Sequence, residues 1–362
     1  MTLIPGIPAP IFSAPSPVNP KFAFSSLGGR YVLLLFLPEP GPEREAALQA
    51  VRDRAESFRN DWLICFGVLP DEASYAEARN VPPFHWFSDT SGDLRRLYGL
   101  EDADGRVVPQ CVLIDPMLRI LGAAPLAQLP AVVARAAQLG DPDAHAGVPM
   151  HAPVLILPRV FEADLCRRLI AYYDEIGGAP SGTMIERDGK TVGVLSSFKS
   201  RRDVSIADEG LIAETRARIS RRLLPEIEKV FQFKVTRMER YIVACYDAAE
   251  GGHFNAHRDN TTAGTAHRKF AVSINLNAEA FDGGDLRFPE FGRRTYRPPT
   301  GGAVVFSCSV LHEATPVTRG VRYAFLPFLY DDAGAKVRAA NLHLLDLSAD
   351  PNPPDADRPV EG

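Results

Sequence analysis

The chain has no C-x-x-C pair. Its five cysteines, Cys65, Cys111, Cys166, Cys245 and Cys308, are scattered and odd in number. That argues against a disulfide framework, and a reducing, cytoplasmic setting is expected. Long apolar runs are missing too. The longest, Tyr31 to Leu37, is far short of the roughly 20 residues that a helix needs to cross a bilayer. The N-terminal stretch MTLIPGIPAPIFSAPSP is broken by prolines and lacks a basic region followed by an apolar one, so it does not read as a signal peptide. Charge of one sign is also scarce. A formal net charge of −5 and a pI near 5.9 give no general attraction to nucleic acid or to an anionic membrane, and neither is expected as a partner. No internal repeat is present.

What is there is ordinary globular material. Of the 362 residues, 46% are hydrophobic and 23% charged, enough to bury a sizeable core. At roughly 150 residues per domain, two domains are expected. The composition places the first at residues 1–142, a Gly-, Pro- and Ala-rich linker at 143–153, the second at 154–335, and a Pro- and Asp-rich, partly disordered tail at 336–362.

In the first domain, residues 1–20 read as an irregular, Pro-rich lead-in. YVLLLFL, Tyr31 to Leu37, is a short continuous apolar run ended by Pro38, as a strand buried on both faces would be. Residues 43–59 carry helical spacing, with Pro42 suited to a first turn. Trp62 to Leu69 and Phe84 to Phe87 read as further strands, with a short helix at Ser74 to Arg79 between them. Asp89 to Tyr98 reads as a capped helix stopped by Gly99. Gln110 to Asp115 and Leu118 to Ala123 read as a hairpin, and Ala124 to Leu139 closes with a helix. Strand and helix alternate, which marks an α/β layer fold.

This order, with GGRYVLLLFLPEPGP, DLRRLYGLEDADG and VVPQCVLIDPMLRILG, resembles the thioredoxin fold and its peroxiredoxin-like branch. The resemblance implies a reactive cysteine in the loop after the first strand. That loop, Leu37 to Ala46, has none, and a thiol peroxidase cannot work without its thiolate. Cys65 and Cys111 sit within apolar strands, where cysteine acts as a small hydrophobe. The domain therefore reads as a degenerate thioredoxin-like module, serving as an interface for a homodimer or as a docking site for a protein partner.

The second domain opens with an amphipathic helix, Glu162 to Tyr173, stopped by Gly177-Gly178. A hairpin or loop turning at Asp188-Gly189 follows. Lys199-Ser200-Arg201-Arg202-Asp203 reads either as a solvated basic loop or as a substrate-facing segment. A helical stretch covers Asp208 to Gln232, with Pro225 starting a second helix. Short strands follow at Thr236–Cys245, Phe270–Leu276, Asp285–Phe288, Ala303–Ser307 and Arg322–Tyr330, with Gly and Pro turns between them. Such a series suggests a jelly roll or a related double-sheet barrel.

Within that series lies His257-Arg258-Asp259. On a strand, residues i and i+2 share a face, so His257 and Asp259 can address one ion while Arg258 points away. His312, at the end of the apolar strand AVVFSCSVL, supplies a third donor. Two histidines and a carboxylate form the set that leaves open positions on a non-haem Fe(II). His253 and His267 lie nearby without a carboxylate two residues on, and read as supporting or surface groups. Asn275 and Asn277 share one side of a strand, lining a pocket or ending the strand in polar groups. Cys308 reads as a small core residue.

The segments YDAAEGGHFNAHRDN, FAVSINLN, DGGDLRFPEFG, PPTGGAVVFSCSVLHEATPV and TRGVRYAFLPFLYD resemble Fe(II)/2-oxoglutarate-dependent oxygenases of the prolyl 4-hydroxylase-like type. The resemblance covers about half of the chain, residues 154–330. It implies a double-stranded β-helix (a jelly-roll, cupin-like fold) with flanking helices. His257, Asp259 and His312 are its implied metal ligands, with Fe(II), 2-oxoglutarate and O2 as the cofactor set and ascorbate as a candidate reductant. Arg322 is the implied partner of the distal 2-oxoglutarate carboxylate, which a guanidinium can grip as a fork. Tyr246 is similar in placement to a tyrosine donating to the same carboxylate, with a longer spacing to His257, and Asn275 is a further candidate contact. Related halogenases lack the carboxylate, so Asp259 favours hydroxylation. The substrate is expected to be either a peptidyl residue, such as proline, or a free amino acid or small metabolite.

Overall fold

A computed structural model describes residues 3–346 and 358–360. The chain divides into two units, Met1–Ala152 with Pro289–Arg293, and Pro153–Phe288 with Arg294–Gly362. Of the tail expected over residues 336–362, residues 347–357 and 361–362 lie outside the described residues. The part from residue 336 to 341 continues a helix, Asp332–Asn341, whose N-terminus is capped by the side chain of Asp331.

The first unit is built on a five-stranded sheet ordered Phe84–Ser88, Leu63–Leu69, Tyr31–Phe36, Gln110–Ile114, Ile120–Pro125. The first three strands are parallel and the last two antiparallel. Tyr31–Phe36 is central and wholly buried. Successive side chains of a strand point to opposite faces, and here they fill two cores. Val32, Leu34 and Phe36 join Phe12, Phe24, Phe66 and Phe87 on one face. Tyr31, Leu33 and Leu35 join Leu48 and Val51 of helix Pro42–Arg52, and Leu129 and Val133 of helix Leu129–Ala136, on the other. This is the expected thioredoxin-like arrangement. The lead-in differs from expectation. Ser13–Ser16 and Asn19–Ala23 pair as a hairpin, because Phe12, Ala14 and Phe24 are drawn into the core and order the intervening backbone. The helix expected from Ala124 starts only at Leu129, since the preceding strand runs on to Pro125.

The loop from Leu37 to Ala46 is organised by Arg44, which is buried. Its guanidinium donates to Pro38 O (2.7 Å), Ser74 Oγ (2.6 Å) and Asp71 Oδ2 (3.0 Å). All five cysteines of the chain are buried, and burial pushes the Cys111 thiol up to about 11. No thiol is placed to act as a peroxidatic nucleophile.

The second unit has a large and a smaller sheet. At the centre of the large one run Phe328–Tyr330, Phe270–Asn275, Val321–Phe325, Ile242–Asp247 and Arg202–Ser205, in that order, with Ala303–Ser307 also paired to Phe270–Asn275. The smaller is ordered Lys199–Ser200, His253–His257, His312–Ala314, Leu286–Arg287, Thr295–Tyr296. Helices cover one face of the large sheet. Leu165 and Leu169 of Ala163–Ile176 pack with Ile212, Ile219, Leu223 and Ile227 against Val243, Val272, Ile274, Val305 and Phe325. As expected, Pro225 stands in the first turn of a second helix, Leu224–Phe231. Helix Glu209–Arg218 passes through a π-turn at Ile219–Leu223 into Leu224–Phe231, and the wider turn accommodates the missing proline N–H. The strand expected over Thr236–Cys245 is broken by Arg240, whose φ of +68° separates Arg237–Glu239 from Ile242–Asp247. No helix among the described residues is long and apolar enough to cross a membrane.

Alternation also decides what the other face of the large sheet presents. With Val243, Val272, Ile274 and Phe325 against the helices, the positions between them, Ala244, Tyr246, Ser273, Asn275, Arg322 and Ala324, share the opposite face. The register brings them together: Tyr246 lies opposite Arg322, and Asn275 opposite Ala324.

Gly301 fixes one end of this arrangement. Its N–H donates to Asn275 O (2.8 Å), and its carbonyl accepts from Val160 and Phe161. Its φ is +76°, and a Cβ there would run into the Phe161 carbonyl. Gly301→Ala is therefore expected to cost about 2–4 kcal/mol, from the left-handed backbone and the displaced carbonyl together. Urea unfolding of the full chain measures this.

Candidate metal and oxo-acid site

His257 closes strand His253–His257 and His312 opens strand His312–Ala314, and the two are direct cross-strand partners. Their ring centroids are 4.3 Å apart. Asp259 follows in the next turn, held by its own N–H to Cys308 O (2.9 Å). Arg258 turns away and donates to Ser309 O, and Asn260 Nδ2 donates to Ser309 Oγ (2.8 Å). The two carboxylate oxygens of Asp259 then face one imidazole each, at 3.5 Å from His257 Nε2 and 3.3 Å from His312 Nε2. One ligand atom from each of the three residues lies within 4.8 Å of the others.

The tautomers suit a metal. His257 Nδ1 is 2.7 Å from Asn255 O and His312 Nδ1 is 3.0 Å from Val310 O. A carbonyl can only accept, so each neutral ring carries its proton on Nδ1 and presents an Nε2 lone pair toward Asp259. Phe254 stacks on His257 at 3.5 Å, and Phe306 lies 4.5 Å from His312. Burial in this aromatic surround pushes the His312 pKa down to about 4, although Asp259 pulls the other way. Burial alone would raise the Asp259 pKa, but His312 and His257 overcome it and hold the carboxyl well below its usual range. Two neutral imidazoles and an ionised carboxylate fit the facial-triad donor set.

The large sheet supplies the second half of the site. Arg322 is buried, and its Nη2 donates to Ser273 Oγ (2.8 Å) while its Nε reaches Asn275 Oδ1 (3.4 Å). Among the described residues its Nη1 is buried with no partner, and no carboxylate hydrogen-bonds to the guanidinium. Burial pushes its pKa down, but a guanidinium stays charged. A buried cation with an orphan donor suits an anionic ligand. Tyr246 lies with its ring 5.0 Å from Arg322 Cζ, and its hydroxyl oxygen accepts from Arg201 Nη1 (3.3 Å), leaving its own proton to donate. Asn275 spends its amide on Pro298 O (2.9 Å) and turns its oxygen to Arg322, an arrangement that holds the guanidinium. Asn277 bridges backbone instead, from Nδ2 to Val321 O and from Tyr323 N to Oδ1.

His253 and His267, read as supporting or surface groups, and Cys308, read as a small core residue, are not metal ligands. His253 has Gly251 O and Ser197 O within reach of its two ring nitrogens. His267 Nε2 is 3.0 Å from the buried Glu239 carboxylate. Cys308 is fully buried, its thiol pushed well up by burial. The segment Lys199–Asp203 is no solvated loop: Lys199, Arg201 and Asp203 are buried. Ser273 and Arg201 were not foreseen. The signal for Arg201 was the i, i+2 alternation of Lys199, Arg201 and Asp203, which a strand puts on one face.

Comparison with known proteins agrees with both halves. Residues 241–330 match the 2OG-Fe(II) oxygenase superfamily, and residues 5–121 match the AhpC/TSA family. A PKHD-type hydroxylase from Synechococcus sp. (strain JA-2-3B'a(2-13)) is 29% identical over 112 residues, 28% of this chain and 49% of that protein. One from Pseudomonas putida (strain W619) is 25% identical over 183 residues, covering 47% and 75%. The chain spans about half the length of the Synechococcus relatives it matches. Among solved structures, a prolyl-4-hydroxylase of Pseudomonas putida aligns with a TM-score of 0.39 at 20% identity, over 50% of this chain and 93% of that one. A peroxidoxin of Mycobacterium tuberculosis aligns with a TM-score of 0.33 at 21% identity, over 38% and 96%.

The depressed His312 pKa has a consequence for stability. The unfolded chain takes up this proton near pH 6.5, the folded protein only near 4. His312 therefore favours the folded state fully above pH 6.5, and that contribution is lost as pH falls toward 4. Without metal, stability is expected to drop by about 2–3 kcal/mol over this window on account of His312. His312→Gln should remove that part of the slope, as read by urea unfolding of chelator-treated protein at a series of pH values.

Proposed function

We propose that the protein is an Fe(II)- and 2-oxoglutarate-dependent dioxygenase. In this reading it hydroxylates an unactivated C–H bond, and 2-oxoglutarate is converted to succinate and CO2. The observation that carries it is the meeting of His257, Asp259 and His312 on the smaller sheet with an uncompensated Arg322 on the facing side of the large one. Match of residues 241–330 to the 2OG-Fe(II) oxygenase superfamily supports it.

The ion supplies the redox chemistry toward O2 and the keto acid when bound. The protein supplies everything that orients those partners. His257 and His312 would hold the ion through Nε2, with their Nδ1 protons anchored on Asn255 O and Val310 O. Asp259 would hold it through its carboxylate and bring one negative charge to the set. Arg322 would take the distal carboxylate of 2-oxoglutarate with its unpartnered Nη1, and the Tyr246 hydroxyl is placed to donate beside it. Ser273 and Asn275 act as positioning residues, since both bond to the guanidinium. Phe254, Phe288 and Phe306 line the imidazoles and exclude water from them.

Purified full-length protein with Fe(II) and 2-oxoglutarate in air is expected to form succinate. His257→Ala and Asp259→Ala should lower the rate by roughly a hundredfold or more, through loss of the ion. Arg322→Gln should raise KM for 2-oxoglutarate by about tenfold to a hundredfold, the worth of a buried charge-assisted hydrogen bond. Absence of succinate from the wild-type protein, with or without candidate substrates, would rule the reading out.

A further inference from the structure

Behind Tyr246, away from the ligand assigned to Arg322, the second unit holds another group of cations. Arg201 is buried and donates to Asp203 Oδ2 (2.6 Å), Ser181 Oγ (3.3 Å) and Tyr246 OH (3.3 Å). Asp203 is shared, because Arg240 Nη2 also reaches Oδ2 at 3.1 Å. Lys199 Nζ donates to Ser181 Oγ (2.7 Å) and Gly182 O (2.8 Å). One buried carboxylate thus stands among Lys199, Arg201 and Arg240. Within that group Arg201 Nε is buried and has no hydrogen-bond partner.

Arg201 and Lys199 line a cavity of about 370 Å³, with Ser181, Ser196 and Arg202, and with Glu250 as the one carboxylate of the lining. That volume is at the small end for small-molecule pockets. The cavity adjoins the metal ligands. Lys199 is the cross-strand partner of Phe254, and its Nζ lies 4.8 Å from the Phe254 ring, which also meets Arg201 and stacks on the imidazole of His257.

We propose that this cavity receives a carboxylate of the primary substrate, so that the compound hydroxylated is a small carboxylic acid, such as a free amino acid, and not an internal segment of a peptide. A carboxylate can take a buried guanidinium N–H and the neighbouring ammonium together, and it balances the excess positive charge. The inference rests on the dioxygenase reading, in which Arg322 is already engaged by 2-oxoglutarate. The reaction it predicts inserts one oxygen atom of O2 into a C–H bond of the acid and the other into succinate, with loss of CO2.

The test titrates each L-amino acid beside its carboxamide, by calorimetry, into full-length protein with Mn(II) and 2-oxoglutarate, after uptake of 2-oxoglutarate has been measured in the same samples. At least one acid is expected to bind about tenfold or more tightly than its amide, since charge-assisted bonds to a buried guanidinium are lost in the amide. Arg201→Gln should remove most of that preference. Two exposed substitutions keep the test decisive if Arg201→Gln does not fold. Ser196→Glu should lower the preference and Glu250→Gln should raise it, each about threefold, as charge near the rim is altered. If 2-oxoglutarate binds and no acid is preferred over its amide, or the preference is unmoved by Ser196→Glu and Glu250→Gln, the proposal is overturned. If 2-oxoglutarate fails to bind while the preference persists and follows the variants, the cavity assignment stands and the dioxygenase reading fails.

Discussion

The pairing of His257 with His312 across two antiparallel strands is the constraint on which the site depends. It sets two imidazoles side by side, and the Nδ1 atom of each is pinned by the carbonyl two residues before it. Once the rings are fixed, the third donor needs only a short reach. Asp259 gets it from the tie between its backbone and Cys308, at the end of the strand that also leads to His312. Slippage of either strand by one residue would turn its histidine to the other face and scatter the set. Phe254 and Phe306, packed on the two rings, oppose such a slip.

The facing sheet carries the complementary constraint, which is electrostatic. Arg322 and Arg201 flank Tyr246, at 5.0 and 5.7 Å from its ring. One of the two has a carboxylate partner and the other has none. A buried charge without a counter-ion is costly, and the proposed function supplies one, the distal carboxylate of 2-oxoglutarate. The loop after the central strand of the first unit is different. Its arginine, Arg44, is fully engaged with Pro38, Ser74 and Asp71. The thioredoxin-like scaffold is intact, and structural hydrogen bonds occupy the loop where a peroxidase would need a thiolate.

Much of this was legible in the sequence, for physical reasons. Continuous apolar runs such as Tyr31 to Leu37 give away a strand buried on both faces, and the two separate cores on its faces follow from alternation. The metal donors were legible because their residue types are few and their order distinctive. Arg322 was singled out by the family resemblance, and the structure shows it buried with an unpartnered Nη1. Ser273 was not, because a serine in an apolar strand carries no signal until the register sets it beside Arg322. Arg201 lay within a basic run that read either as a solvated loop or as a substrate-facing segment, and only tertiary burial separates Lys199 and Arg201 from the half-buried Ser200 and Arg202. The N-terminal hairpin was obscured by its prolines; the second helix at Pro225 was legible, but the π-turn that joins it to Glu209–Arg218 was not.

A crystal structure of the full chain grown with Mn(II) and 2-oxoglutarate tests the central claim most directly. The account predicts one anomalous peak bounded by His257 Nε2, His312 Nε2 and an Asp259 carboxylate oxygen, with the distal carboxylate of the keto acid on Arg322 Nη1. A metal bound elsewhere, or a keto acid that leaves Arg322 Nη1 unpartnered, would contradict it.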